Sequence, residues 1–220
     1  MLNKKRSWMS LIVVMFVVAG CSGINVTRGS GNVISQTREV SNFSAVQFSG
    51  FGSLAIEQNG QEALTIEAED NLVPLIKTSV VDGTLRIETE NGTAILPTKD
   101  LKFKLSVKSL TSIKFSGAGD ITASNLNGSS VSVDLSGAGK LTLSGTVTSQ
   151  TVVISGAGSY DGSNLDSKNA VINDSGAGNA TVKVSDTLSV NISGAGRVEY
   201  IGNPTITKSI SGLGAVQQKQ

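Results

Sequence analysis

The chain has 220 residues, with 18 lysines and arginines, 17 aspartates and glutamates, and no histidine. This near balance of charge excludes the clustered basic surface of a nucleic-acid-binding protein, and the lack of histidine removes the commonest general base of enzymes. With one cysteine the chain can form no internal disulfide, and its low aromatic content (4%) beside 25 glycines is typical of repetitive β-structure.

The first 20 residues have the order of an export signal. Three basic residues at positions 4–6 precede a mostly apolar segment at 8–18. That segment is shorter than the roughly 20 residues of a transmembrane helix. It runs into the sequence VAGC, whose small residues before Cys21 resemble the lipobox of bacterial lipoproteins.

The lipobox resemblance implies that residues 1–20 are a lipoprotein signal peptide and that Cys21 carries a diacylglycerol anchoring the protein to the membrane. The alternative is an ordinary signal peptide followed by a chance cysteine. Ser22, in place of Asp, favours the outer membrane in a diderm host. Cleavage would leave 15 basic and 17 acidic residues, a net charge of −2. Residues 21–30, rich in small polar residues, are expected to form a flexible tether.

Residues 31–115 are expected to form an irregular strand and hairpin region that caps the N-terminal end of the domain. The Asp-Gly pair at 82–83, between two apolar runs, predicts a hairpin. Residues 70–77 predict a helical turn capped by Asp70 or Asn71.

Residues 116–220 carry a repeat of 18–20 residues marked by Ser-Gly-Ala-Gly or a close variant. Its first serine recurs at Ser116, Ser136, Ser155, Ser175, Ser193 and Ser211, with an earlier copy at Ser49. Apolar residues alternate on both sides of the motif, which predicts two or three short strands per repeat. A fixed period of this length indicates coils that stack and share one core.

The sequence therefore predicts an all-β fold, a single-stranded parallel β-helix (solenoid) with 18–20 residues per coil. We favour the right-handed form, because the six-residue apolar mark of left-handed helices is missing. The domain is expected to span 31–220, with regular coils over 116–220.

The motif glycines are interpreted as structural positions. If the chain stays extended through the motif, the glycines face inward and leave room for a bend or a close approach, while serine and alanine face solvent. A glycine with positive φ would instead turn the alanine inward. A ligand site is disfavoured because the residue after the motif varies between copies. The glycines are Gly117, Gly119, Gly137, Gly139, Gly156, Gly158, Gly176, Gly178, Gly194 and Gly196.

Asp174 breaks the pattern, because it stands where other repeats carry an apolar residue before the motif serine. A bulge that turns Asp174 outward would avoid burying an unpaired carboxylate, and we favour this interpretation. The alternative is a polar patch that combines Asp174 with Asn173, Asn179 and Asn191. Asn173 and Asn191 share one repeat position and could form an asparagine ladder.

Several segments together resemble the putative auto-transporter adhesin head GIN domain family. They are FSAV at 43–46, SGFG at 49–52, DNL at 70–72 with IK at 76–77, DGTL at 82–85 and the serial SGAG motifs. The resemblance covers about residues 31–216 and implies a β-helical envelope protein, often a lipoprotein. It supplies no catalytic residues.

We expect a non-catalytic, lipid-anchored interaction module of the cell envelope, either an adhesin or a polysaccharide-binding protein with a glycan or protein ligand. No cofactor, metal ion or catalytic residue is expected. One alternative is a structural or stress-related envelope component with another partner. Another is a polysaccharide-active β-helical enzyme, which is disfavoured because the acidic residues do not recur at a common coil position. Exposure to the periplasm or to the cell surface is left open.

Overall fold

The computed structural model describes residues 25–219, so the predicted signal peptide and Cys21 lie outside the described residues. Within this range the chain forms β-strands and one short 3-10 turn, Val73–Leu75, and contains no α-helix. The all-β class predicted from the sequence is confirmed.

Nine strands precede the repeat region. They are β1 (Asn25–Arg28), β2 (Val33–Arg38), β3 (Ala45–Ser49), β4 (Phe51–Gln58), β5 (Ala63–Glu69), β6 (Ile76–Val81), β7 (Thr84–Thr89), β8 (Thr93–Leu96) and β9 (Lys102–Val107). The repeat region contains β10 (Ser112–Phe115), β11 (Ala118–Leu135), β12 (Ala138–Ile154), β13 (Ser159–Asp174), β14 (Asn179–Ile192), β15 (Arg197–Ile201), β16 (Thr205–Ile210) and β17 (Ala215–Gln218).

The strands of the repeat region pair in parallel, each with the equivalent residues of the next repeat. The position after the motif shows this register in one column: Asp120, Lys140, Ser159, Asn179 and Arg197 lie side by side on successive strands. Where two repeats differ in length, the register shifts at a corner of the chain, as between Ala123 and Leu126. These registers are consistent with stacked coils.

Strands β11 to β14 are 14 to 18 residues long, which differs from the two or three short strands predicted per repeat. The hydrogen-bonded ladder continues around the corner after the motif, with a bulge there instead of a break. It is interrupted at the motif, over residues 136–137 between β11 and β12 and over residues 155–158 between β12 and β13.

The alternating apolar residues fill a continuous core. Around the first regular motif the buried side chains include Ile113, Phe115, Ile121 and Ala123, which are the positions that alternation predicts. Aromatic rings join this repeat to the N-terminal region. The Phe48 ring stacks on Phe115 at a centroid distance of 5.8 Å and meets Phe103 edge-on at 5.1 Å.

The N-terminal region extends the same sheet and then turns antiparallel. β3 and β4 pair in parallel with β10 and β11, so residues 45–58 form the first layer of the stack. β7 and β9 add a further parallel layer, and the antiparallel strands β6, β5 and β2 follow. The predicted hairpin joins β6 to β7 through Asp82 and Gly83, both with positive φ. This arrangement covers the parallel edge, as a cap must.

The turn predicted at residues 70–77 is reduced to the 3-10 turn Val73–Leu75, and Leu72 precedes it without a side-chain cap. Asp70 and Asn71 do not cap it, because their side chains bind the N-terminal segment instead. Asp70 accepts hydrogen bonds from Ser30 and Asn32 at 2.5 and 2.8 Å.

The expected flexible tether at residues 21–30 is wrong for its second half. Asn25–Arg28 forms β1, which pairs in parallel with β8 in a separate two-stranded sheet. The Asn71 amide donates to the backbone carbonyl of Arg28 at 2.8 Å and accepts from the Ser30 amide at 2.9 Å. The reason is long-range pairing with a strand far along the chain, which local composition does not show.

Candidate functional site

A groove runs along one corner of the stacked repeats. It has a volume of about 620 Å³, within the usual range of ligand pockets. Five successive strands, β11 to β15, contribute to it, so it crosses four strand spacings, or about 19 Å. We call it the corner groove. Its lining residues are Asn127, Gly128, Thr146, Val147, Thr148, Asp166, Ser167, Lys168, Lys183, Val184, Ser185, Ile201, Gly202 and Asn203.

The parallel register explains why these residues meet. Gly128, Val147, Ser167 and Val184 are register partners on successive strands and form the floor. Val147, Ser167 and Val184 are buried, whereas the residues on either side of them on each strand are exposed and form the rim. Alternation along each strand thus gives the groove a narrow, largely apolar floor between two polar rims.

The rims carry hydroxyl, amide and charged groups. Asp166 and Lys183 form an ion pair across neighbouring strands at 2.8 Å, and both side chains are about half exposed. Such a surface pair contributes little to stability, so its groups can be used in binding. Lys168 adds one further positive charge. The rims can donate and accept hydrogen bonds at intervals of one strand spacing along the groove.

A buried polar chain lies beneath the floor. The Tyr160 hydroxyl donates to Gln150 Oε1 at 2.8 Å, and Gln150 Nε2 donates to Ser167 Oγ at 2.7 Å. Ser167 Oγ in turn donates to the carbonyl of Lys183 at 2.8 Å. Burial raises the pKa of Tyr160, with a smaller contribution from the negative charge of Asp161. The phenol therefore stays protonated and acts as a hydrogen-bond donor, and the chain fixes Ser167 in the floor.

Sequence reasoning missed both the groove and this polar chain. A signal was available, because Gln150 lies in register between Val131 and Ala170, at an inward position that is otherwise apolar. Tyr160 likewise is far larger than its register partner Ala180. A buried glutamine and a buried tyrosine in adjacent repeats indicate that they satisfy each other.

The structure places Asp174 inside the fold, so the expected outward bulge is wrong. Only 2% of Asp174 is exposed. Its Oδ1 accepts a hydrogen bond from the Gly176 amide at 2.9 Å, whereas Oδ2 has no partner among the described residues. The Oδ2 atom occupies the space where a Cβ of Gly196 would lie. The carboxylate is accommodated because the neighbouring repeat has a glycine there.

Burial raises the pKa of Asp174, and the hydrogen bond from the Gly176 amide opposes this effect only in part. The side chain lines a smaller cavity of about 260 Å³, together with Asn173, Asn191 and several motif serines. Asn191 donates to Asn173 Oδ1 at 3.0 Å, which forms the asparagine pair that the sequence allowed. Asn179 lies at the start of β14 and is not among the residues lining this cavity.

The motif itself is a site of close backbone packing. In the five copies from Ser116 to Ser193 the serine and alanine are exposed, and the glycines lie on the inward side. A Cβ on Gly117 would overlap the carbonyl oxygen of Gly50, and one on Gly137 would overlap that of Gly117. The close approach is thus made by the adjacent layer of the stack and not by the opposite wall of the domain. Among the ten repeat glycines only Gly119 has a positive φ, and Ala118 beside it still faces outward.

Carboxylates elsewhere are held by structural hydrogen bonds. The pKa of Glu69 is lowered chiefly by the hydroxyl of Thr98, and its carboxylate also accepts from the amide of Gly31 at 2.7 Å. The pKa of Asp161 is lowered chiefly by the hydroxyl of Ser163, against an opposing effect of burial.

Within residues 25–219 no group of three or more histidine, cysteine or acidic side chains is placed to hold a metal ion. Over the same residues no helix is long and apolar enough to cross a membrane.

Solved structures share this fold. A putative adhesin from Bacteroides fragilis NCTC 9343 superposes with a TM-score of 0.74 at 23% identity, covering 88% of this chain and 100% of that chain. A putative adhesin from Parabacteroides distasonis ATCC 8503 gives a TM-score of 0.56 at 18% identity, covering 89% and 100%. A putative lipid binding protein from the same organism gives 0.56 at 22% identity, also covering 89% and 100%. At these identities the likeness shows the fold alone.

No curated protein matches the chain. The family model described as putative auto-transporter adhesin, head GIN domain, matches residues 42–204, which is most of the chain. This match agrees with the resemblance found in the sequence motifs. The chain therefore belongs to the putative auto-transporter adhesin, head GIN domain family.

Proposed function

We propose that this protein is a lipid-anchored, non-catalytic interaction module of the bacterial envelope that binds an extended polysaccharide in the corner groove. The observation that carries the proposal is the groove itself. It has a largely apolar floor between two rims, one of which carries a polar side chain on each strand from Asn127 on β11 to Lys183 on β14, over about 14 Å, before Ile201 follows on β15.

The repeating rim favours a repeating ligand. Because the strands are in parallel register, equivalent rim positions follow one another at about 4.8 Å along the groove. A polymer with regularly spaced hydroxyl groups can hydrogen-bond to several of these positions at once, whereas a small compact ligand would use only one or two. Lys168 and Lys183 outnumber the single carboxylate of Asp166, so the groove has a net positive charge that also allows it to bind an acidic polysaccharide.

The groove favours binding over catalysis. Glycoside hydrolases that use the common mechanisms need two carboxyl groups flanking the scissile bond. Asp166 is the one carboxylate among the residues that line the corner groove, and it is paired with Lys183. We therefore propose that the bound polymer is released without being cleaved.

The proposed architecture of residues 31–220 is a right-handed parallel β-helix capped at its N-terminal end. Equivalent residues of successive repeats pair in parallel, and repeats of different length are accommodated at the corners, both of which support this architecture. Anchoring by a diacylglycerol on Cys21, at the outer membrane, is supported by the lipobox-like sequence. Two or three acyl chains would anchor the protein stably.

The function is tested with a Cys21→Ser chain secreted in soluble form and screened on a polysaccharide array. Thr148→Arg places a long side chain on the rim and should abolish binding. Thr122→Arg, at an exposed position of β11 outside the corner groove, is the matched control and should bind as the parent does. If no polysaccharide binds, or if both arginine variants bind equally well, the proposed ligand site is wrong.

A further inference from the structure

We propose that an apolar patch at the N-terminal end of the domain lies against the phospholipid bilayer. This inference rests on the proposed lipidation of Cys21. The patch, which we call the N-terminal patch, consists of Val26, Val33, Phe51 and Leu96. Their exposed fractions are 59%, 48%, 52% and 55%, in that order.

The four residues lie on segments that meet in the N-terminal region. β1 and β8 pair with Val26 beside Ala94 and Arg28 beside Leu96, so Val26 and Leu96 share the outer face of this small sheet. Ile95, on the inner face, packs against the core.

The loop after Leu96 connects the rest of the patch. Val33 lines one shallow cavity together with Glu67 and with residues 98–100 and 102 of this loop. Phe51 lines the next cavity together with Pro97 and the same loop. The patch thus surrounds residues 97–102, and Lys99 borders both cavities.

The short chain between Cys21 and the folded domain limits the distance to the membrane. β1 begins at Asn25, and four residues can span at most about 14 Å even when fully extended. β1 is held in the fold, since the Asn25 amide donates to the Gly92 carbonyl at 3.0 Å and the Gly29 amide donates to the Leu96 carbonyl at 3.0 Å. A lipid on Cys21 would therefore keep this end of the domain at the bilayer surface.

The chemistry of the patch fits the interfacial region of a phospholipid bilayer. Lys99 and Lys102 lie in the loop between the apolar side chains, and Arg28 lies beside Leu96. The carboxylates of Glu67, Asp100 and Asp120, which line the same two cavities, balance these three positive charges, and Lys102 lies 3.5 Å from Asp100. The attraction is therefore apolar and should change little with salt. Each side chain alone would bind weakly, but the anchor raises the effective concentration of the bilayer at the patch.

The chain offers a clean spectroscopic test. Its only tryptophan, Trp8, lies in the signal peptide that the proposed processing removes. Leu96→Trp places a single fluorophore in the patch. Leu213→Trp places one at the opposite end of the stack, where Leu213 is 91% exposed and lies six layers from Phe51, or roughly 29 Å away. Both lipidated proteins are extracted from membranes and reconstituted in phosphatidylcholine vesicles that contain a nitroxide-labelled lipid.

We expect the nitroxide lipid to quench the fluorophore at position 96 at least about twofold more than the one at 213, because insertion reaches only about 5–10 Å into the interface. Vesicle flotation separates the two hypotheses. A protein that does not float with vesicles, or that floats equally well as Cys21→Ser, contradicts the anchor. A protein that floats without quenching at position 96, or with equal quenching at 213, overturns the docked patch. If the fluorescence emission of Leu96→Trp shifts to the blue without vesicles, and the shift grows with protein concentration, the patch binds a second copy of this chain and the docking on the bilayer is overturned.

Discussion

Gly156→Ala should destabilise the protein, although alanine is the smallest possible addition. A Cβ at Gly156 would lie 2.5 Å from the carbonyl oxygen and 2.8 Å from the carbonyl carbon of Ser136, in the preceding repeat. These are backbone atoms, and the Ser136 amide is hydrogen-bonded to the Phe115 carbonyl at 3.0 Å, so they cannot rotate away as a side chain can. Overpacking of this kind costs about 1–3 kcal/mol.

Gly128→Ala is the matched control, because a Cβ at Gly128 has no atom within 4 Å and the φ of Gly128 is not positive. Alanine there should leave stability unchanged or raise it by about 0.4–1 kcal/mol through the unfolded chain. In a domain of this size a loss of about 2 kcal/mol lowers the Tm by roughly 4–8 °C.

The assay is thermal unfolding of both variants and the parent, followed by far-ultraviolet circular dichroism. The expected order of Tm is Gly128→Ala at or above the parent, and Gly156→Ala well below it. Equal Tm values for the two variants would refute the explanation that the motif glycines permit close packing of adjacent layers.

Three further predictions follow from buried or edge side chains. Because the pKa of Asp174 is raised in the folded state, ionisation of Asp174 destabilises the fold; Asp174→Asn should therefore be more stable than the parent at pH 7, and urea titrations should show this advantage shrinking as the pH falls towards about 4. An advantage that does not depend on pH would contradict this assignment. Tyr160→Phe should cost about 1–3 kcal/mol in the same assay because it leaves Gln150 Oε1 buried without a donor. A second change, Gln150→Leu, should recover part of this loss, and a Tyr160→Phe protein as stable as the parent would contradict the polar chain. Lys208, on the terminal strand β16, lies in register with the buried Val190, and Lys208→Val should promote end-to-end dimers detectable by light scattering, whereas Lys168→Val should not.

The periodic part of the fold could be predicted from the sequence because one physical rule determines it. Side chains that alternate along a strand bury one face, so the positions flanking each motif identify the inward residues, as Ile113 and Phe115 illustrate. The repeat spacing then predicts which residues of successive strands lie side by side. The hairpin at Asp82 and Gly83 was predictable for a similar reason, since a turn with positive φ at both central residues favours aspartate followed by glycine.

Features that depend on long-range contacts could not be predicted in this way. β1 forms because β8, far along the chain, provides its hydrogen-bonding partner. Asp174 can point inward only because Gly196, in the next repeat, leaves space for its carboxylate. Neither relation is visible in the residues immediately around the feature.

The candidate site was missed for a related reason. Its rim lies at the corners, where repeats differ in length and the register shifts, so no motif marks it. Gln150, a polar residue at an inward position, and Tyr160, which is much larger than its register partner Ala180, are the residues that indicate a difference in this part of the core.

Titration calorimetry with oligosaccharides of increasing length tests the central claim most directly. The ligand is the repeating unit of a polysaccharide found on the array, and the protein is the Cys21→Ser chain with and without Thr148→Arg. Affinity should rise with length until the ligand spans the groove and then level off, Thr148→Arg should abolish binding, and the recovered oligosaccharide should be intact. Binding that is independent of length, binding that survives Thr148→Arg, or shortened products would contradict a non-catalytic polysaccharide site in the corner groove.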